Sequence, residues 1–281
     1  MSKQVVLVTG CSTGGIGYSL AKKFAEKGCL VVATARRVEA LEGLEAFDCE
    51  KETLDVTDKK SIDAVIKKII DSHGHIDILV NNAGSPAVGA LLDIDMSVVE
   101  QCVNTNVYGV LAMCQAVGRH MAERGQGKIV NIGSVVGYGG TPWAGIYSMS
   151  KAAVHSMSDV LRMELKPFGI QVVVVAPGAI VSNIGNAGSK TVHVPEDSLY
   201  TSVSKYIIGR ANLSQGPGST PTDVFAEHVV KKVTQPVAPR YVTFGATSWV
   251  FLLLFYLPLF IRELIFSKRF GVNTIKRTKQ E

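Results

Sequence analysis

The sequence predicts an α/β protein built on a doubly wound parallel sheet in a single domain, followed by an apolar C-terminal segment. Three observations carry that prediction. Six short apolar runs alternate with stretches of helical periodicity. The first run ends in a glycine-rich turn that opens a helix. The polar residues best suited to chemistry fall just past the ends of the runs, where ligands bind in such sheets. Together these describe a Rossmann-type fold.

The first strand, Gln4 to Thr9, leads into Thr9-Gly10-Cys11-Ser12-Thr13-Gly14-Gly15-Ile16-Gly17. Glycines here let backbone approach a pyrophosphate at a helix N-terminus, so Thr9, Gly10, Ser12, Gly15, Ile16 and Gly17 are candidate cofactor contacts. The helix that follows carries Leu20, Ala21, Phe24 and Ala25 on one face and stops at Gly28. A second strand, Leu30 to Ala35, ends at Arg36-Arg37 with no acid. Arginine at this place accommodates a 2′-phosphate, which favours NADP over NAD.

From Ser61, apolar residues Ile62, Val65, Ile66, Ile69 and Ile70 recur at helical spacing. Strand Ile76 to Val80 then delivers Asn81-Asn82-Ala83-Gly84, whose polar side chains suit capping of backbone at a strand end. Later strands are read over Lys128 to Ile132, Ile170 to Ala176 and, at the edge, Arg240 to Phe244, with a helix from Pro221 to about Val233. Residues 183–221, rich in Gly, Ser, Asn and Thr, show no clear element and occupy the place of a mobile substrate lid. Within them Lys190, Lys205 and Arg210 are read as solvated charge, with contact to an anionic group such as phosphate as the alternative.

The stretch NIGSVVGYGGTPWAGIYSMSK, Asn131 to Lys151, is the chemical centre. Tyr147 opens a helical run and Lys151 follows four residues later, on the same helix face. An ammonium beside a phenol favours the phenolate and so lowers its pKa, and Ser134 supplies a hydroxyl to hold a substrate carbonyl oxygen.

The ordered set of glycine-rich turn, Asn-Asn-Ala-Gly, Asn106, Ser134/Tyr147/Lys151 and Pro177-Gly178 resembles the classical short-chain dehydrogenase/reductase family over about residues 4–245. The turn is one residue longer than the usual TGxxxGxG. The resemblance implies Tyr147 as proton donor, Lys151 bound to the nicotinamide ribose, Ser134 polarising the carbonyl, and Asn106 kinking its helix and completing a proton relay. It also implies cofactor contacts at Asp55 (adenine), Asn82, Ala83, Gly84, Tyr147, Lys151, Pro177, Gly178, Ile180 and Ser182, with NADPH/NADP as cofactor and no metal. A narrower resemblance, through TGCSTGGIGYSLA, IYSMSKAAVHSMSDVLRMELKPFGIQV and an apolar C-terminal segment followed by Ser267-Lys268-Arg269-Phe270, is to NADPH-dependent 1-acyldihydroxyacetone-phosphate reductases of glycerolipid synthesis. Steroids, retinoids and 3-ketosphinganine stand as alternative substrates, and a non-catalytic lipid-surface scaffold as an alternative of another class.

Composition adds compartment and partners. The 281 residues are 47% hydrophobic and 19% charged, with a formal charge of +5, which calls for no nucleic acid. Five cysteines without ligand spacing read as thiols of a reducing compartment, and the first strand begins too early for a leader. Residues 246–281 are expected to form a membrane anchor and basic tail. The uncharged run 246–261 reaches only ~24 Å as a helix against a ~30 Å hydrocarbon core, so it reads as monotopic or hairpin-like rather than spanning. Trp249 and Tyr256 suit an interface, and Lys268, Arg269, Lys276, Arg277 and Lys279 suit anionic headgroups, through a contact surface of residues 246–267. The expected place is the endoplasmic reticulum membrane or a lipid droplet, with the catalytic part facing the cytosol. A buried C-terminal helix or a dimer contact is the alternative for the same segment, and a homo-oligomer remains open.

Overall fold

The computed structural model describes residues 3–275. Seven strands form one sheet: β1 (Val5–Val8), β2 (Leu30–Ala35), β3 (Glu50–Thr53), β4 (Ile78–Asn81), β5 (Gly127–Ile132), β6 (Ile170–Pro177) and β7 (Tyr241–Phe244). Their order is β3-β2-β1-β4-β5-β6-β7, every neighbouring pair parallel. The expected Rossmann-type sheet is therefore present. Six of the strands coincide with the apolar runs, since strands covered on both faces need near-continuous Val, Ile and Leu. The seventh, β3, is the polar Glu-Lys-Glu-Thr. It lies at the edge, where charge deters further pairing, and so left no apolar signal.

The helices are α1 (Ile16–Glu26), α2 (Lys59–His73), α3 (Met96–Val103), α4 (Gly109–Arg124), α5 (Gly145–Leu165), α6 (Ile184–Thr191), α7 (Ser204–Arg210), α8 (Thr222–Val233), α9 (Ser248–Tyr256) and α10 (Leu259–Arg269). One face of the sheet is covered by α1 and α8, through Leu20, Phe24, Phe225 and Val229. The other is covered by α2, α4 and α5, through Ile62, Ile66, Met113, Val117 and Val154. Helix α2 starts two residues before Ser61 because Asp58 caps it, accepting from the Lys60 amide at 2.9 Å. Residues 183–221 fold into α6, α7 and short turns. Their glycines and small polar residues have weak helix propensity, so tertiary contacts and not local sequence determine these elements. One such contact runs from Gln215 Oε1, which accepts from the Ser182 amide at 2.9 Å.

The C-terminal expectation needs correction. The apolar run is not a continuous membrane-associating segment: α9 ends at Tyr256, Leu257 turns extended ahead of Pro258, and α10 carries Arg262, Glu263, Lys268 and Arg269. Among the described residues no helix is long and apolar enough to cross a membrane. Instead Leu254, Phe266 and Phe270 are buried with Ala90, Trp143, Val203 and Ile207 in a third apolar cluster. The buried Trp143 Nε1 donates to the Phe270 carbonyl at 2.9 Å, tying the segment to the loop before α5. Trp249 and Tyr256, expected at an interface, are exposed on α9. Anchored placement at the endoplasmic reticulum or a lipid droplet, expected from this segment and from the narrower resemblance, is withdrawn with it. Lys276, Arg277 and Lys279 lie outside the described residues.

Removing a buried phenylalanine ring costs about 3–5 kcal/mol. Phe266→Ala and Phe270→Ala are therefore expected to lower unfolding stability by about 3 kcal/mol each in urea titrations. A change under ~0.5 kcal/mol, usual for surface sites, would contradict the packing of this segment.

Candidate active site

Strand order reverses between β1 and β4, and the loops leaving those strands frame one end of a cavity of about 750 Å³. Gly10, with φ +71°, lies so close to β4's loop that a Cβ on it would stand 2.7 Å from Ala83 Cα. Asn82 Nδ2 donates to the Thr9 and Gly10 carbonyls, both at 2.9 Å, and the Thr9 hydroxyl oxygen accepts from the Asn82 and Ala83 amides at 3.0 Å. A Cβ on Gly17 would strike Asn82 Nδ2 and the Gly10 carbonyl. Thr9 and Gly17 thus shape the loop from behind, while Gly10, Ser12, Gly15 and Ile16 line the cavity.

Helix α1 begins there with no capping side chain and no acid in its first turn. Its unpaired N-terminal amides and positive dipole end suit a pyrophosphate. Arg36 lines the same end, beside Asp55. Burial pushes the Asp55 carboxyl up, but its two bonds from Thr57 and the Arg36 charge bring it below the usual range. Arg37 does not line the cavity: it is exposed and its carbonyl accepts from the Ala40 amide. The cradle thus fits a dinucleotide, with one arginine rather than two for a 2′-phosphate.

The middle of the cavity is lined by Asn82, Ala83, Gly84, Ser134, Tyr147, Lys151, Pro177, Gly178, Ile180 and Ser182. Lys151 is buried, and its Nζ donates to the Ile132 carbonyl at the end of β5 at 2.8 Å. Burial brings its pKa down to about 8. The Lys151 ammonium stands 5.6 Å from the centroid of the Tyr147 ring. Burial raises the Tyr147 phenol above its ordinary range; the Arg210 guanidinium and Ser134 hydroxyl oppose that rise. The expectation that Lys151 depresses the phenol is thus not met in the free protein. Desolvation outweighs the neighbouring charge, and the cation acting against it is Arg210.

Asn106 does not line the cavity. It sits buried on a π-helical turn, Asn104–Tyr108, joining α3 to α4. Its Oδ1 accepts from the Ser85 amide at 2.7 Å, and its Nδ2 donates to the Ser85 carbonyl and the Ser150 hydroxyl, both at 3.0 Å. The side chain braces the loop after β4 against α5.

Three groups of residues take places that the sequence reading did not give them. His155, four residues past Lys151 on α5, is buried and accepts from the Ser134 amide at 3.4 Å, with burial holding its pKa down to about 4. A Cβ on Gly133 or Gly137 would collide with its ring; the paired glycines around Ser134 were the available signal. Arg210, read as solvated, is half-buried and lines the cavity, whereas Lys190 and Lys205 are exposed and do not. Finally Val250, Phe251, Leu254, Ile265 and Phe266 line its far end.

Comparison with known proteins agrees with this geometry. Residues 4–192 match the short chain dehydrogenase family. The short-chain dehydrogenase ptmH of Penicillium ochrochloron is 36% identical over 276 residues, 97% of this chain and 100% of that one. The NADPH-dependent 1-acyldihydroxyacetone phosphate reductase of Schizosaccharomyces pombe is 37% identical over 215 residues, 75% of this chain and 72% of that one. The crystal structure of a short-chain dehydrogenase from Streptomyces avermitilis superimposes with a TM-score of 0.81 at 32% identity, covering 98% of this chain and 99% of that one. The chain belongs to the short-chain dehydrogenase family.

Proposed function

We propose that this NADP(H)-dependent oxidoreductase of lipid-related carbonyl or hydroxyl groups reduces 1-acyldihydroxyacetone phosphate to 1-acylglycerol 3-phosphate. The observation that carries the reading is the continuity of the cavity. It runs from the glycine-rich cradle, past Tyr147, to an apolar end walled by α9 and α10. A dinucleotide and an acyl chain can therefore meet at one phenol. The Schizosaccharomyces pombe relative, whose name carries the same reaction, supports the choice of substrate.

When bound, the nicotinamide would supply the hydride. The residues of the chain supply position, polarity and a proton. Arg36 would hold the 2′-phosphate, and the amides opening α1 the pyrophosphate. Asp55 would serve the adenine, while Asn82 to Gly84, Pro177, Gly178, Ile180 and Ser182, which line the cavity, would hold the nicotinamide end. The Ser134 hydroxyl donates to the substrate's carbonyl oxygen, polarising it. Tyr147, kept protonated by its burial, passes its proton to that oxygen. Lys151 would hold the ribose, and its positive charge stands beside the phenol as the proton leaves. Asn106 fixes the π-helical turn through which the proton is replaced.

Tyr147→Phe is expected to cut turnover by about 10²–10⁴ while NADPH binding, read by fluorescence, changes little. Persistent turnover would move the acid elsewhere. For Arg36→Ala, the KM for NADPH should rise about tenfold with little change for NADH; equal effects on both would remove Arg36 from the 2′-phosphate. The reductive kcat/KM should fall as pH rises past about 8, because the Lys151 ammonium is then lost. A profile flat through that range would detach Lys151 from the reaction. NADPH consumption with acyldihydroxyacetone phosphate, 3-ketosphinganine, a ketosteroid and retinal tests the substrate directly, and selective turnover of the first is expected.

A further inference from the structure

Two arginines belong to the cavity that Tyr147 shares with apolar side chains of α9 and α10. Arg210 closes α7 and Arg269 closes α10; both line the cavity, although their helices lie far apart in sequence. Arg210 is half-buried. Its Nε and Nη2 donate to one acceptor, Thr141 Oγ1, at 3.3 and 3.2 Å, and its guanidinium lies 5.9 Å from the centroid of the Phe270 ring. A guanidinium carries five N–H donors in a rigid fork, so a single hydroxyl leaves most of them unused. Among the described residues neither arginine pairs with a carboxylate. Burial disfavours the Arg210 charge, and the Arg269 charge adds to that cost. A half-buried and an exposed guanidinium on one cavity wall, neither with a carboxylate partner among the described residues, suit an anionic ligand.

We propose that Arg210 and Arg269 form an anion subsite that clamps a phosphate monoester of the substrate beside the reacting carbonyl. The inference rests on the carbonyl-reductase reading of Tyr147. Charge favours phosphate over carboxylate: a phosphate monoester carries about −1.5 to −2 at neutral pH, matching two guanidiniums, and offers three acceptor oxygens. Position adds a constraint on the ligand. Arg210 and Tyr147 line the same cavity, so an anion held by Arg210 shares that space with the reacting carbonyl. Phe251, Leu254 and Phe266 line the remaining space, which suits an apolar tail. The substrate class is a short phosphorylated ketone with an acyl or alkyl extension.

The test is direct calorimetric binding of dodecyl phosphate, dodecanoate and dodecanol to the full-length protein saturated with NADP, which needs no turnover. Dodecyl phosphate is expected to bind about tenfold or more tightly than either of the others. Arg210→Gln and Arg269→Gln should each erase most of that preference, and Arg210→Lys should keep part of it. Arg269 is exposed, so its variant remains informative if the half-buried Arg210 position does not tolerate glutamine. Equal binding of dodecyl phosphate and dodecanol, or a preference that survives both glutamine variants, would overturn the subsite; equal binding of dodecanoate would overturn its assignment to phosphate. Because binding is read apart from chemistry, a failed reductase assay with a surviving arginine-dependent preference would reject the reaction and leave the subsite standing.

Discussion

The bond from the Lys151 ammonium to the Ile132 carbonyl, 2.8 Å long and out of water, is the point on which the site's geometry depends. It ties the second turn of α5 to the end of β5, and the rest of that helix face follows. Tyr147, Lys151 and His155 are spaced four apart, so one face presents a phenol, a cation and a ring that receives the Ser134 amide. One turn further on, Ser158 accepts from Asn131 Nδ2 at 2.9 Å, and Asn131 in turn accepts from Asn81. A buried polar ladder thus runs from the catalytic mouth into the sheet. Polar groups in such a place are costly unless paired, which makes the register of α5 against β4 and β5 specific.

Burial has a second effect on the chemistry. The usual picture of a lysine beside a tyrosine is electrostatic, with the cation lowering the phenol's pKa. Here the same burial that anchors Lys151 lowers its own pKa and raises that of Tyr147. Both shifts favour the neutral forms. For carbonyl reduction a protonated phenol is the required state, so the Tyr147 shift acts with the reaction, while the Lys151 shift confines it to pH values below about 8.

The sheet and the centre of the site were legible because strong periodicity and spacing encode them. Val, Ile and Leu runs named six of seven strands, and the four-residue step from Tyr147 to Lys151 placed both on one face. What was illegible depends on contacts distant in sequence. The polar edge strand β3 carries no alternation, and α6 and α7 are held by partners such as Gln215 rather than by propensity. Arg210 looked like surface charge in a glycine- and serine-rich stretch, and only the packing of Thr141 and Phe270 turns it inward. The run 246–261 shows the same limit from the other side. Its hydropathy fits a lipid surface, yet Pro258 and the charges of α10 divide it, and Leu254, Phe266 and Phe270 fold back to wall the cavity. Hydropathy records that a side chain avoids water, not which apolar partner it finds.

The most direct test is the titration of Tyr147 in the free protein, read as phenolate absorbance of the native enzyme minus that of its Tyr147→Phe variant. No Tyr147 phenolate is expected below the ordinary tyrosine range of ~10, because burial outweighs the neighbouring cations. A phenolate appearing near neutral pH would show that charge and not desolvation governs the site, and would contradict the account.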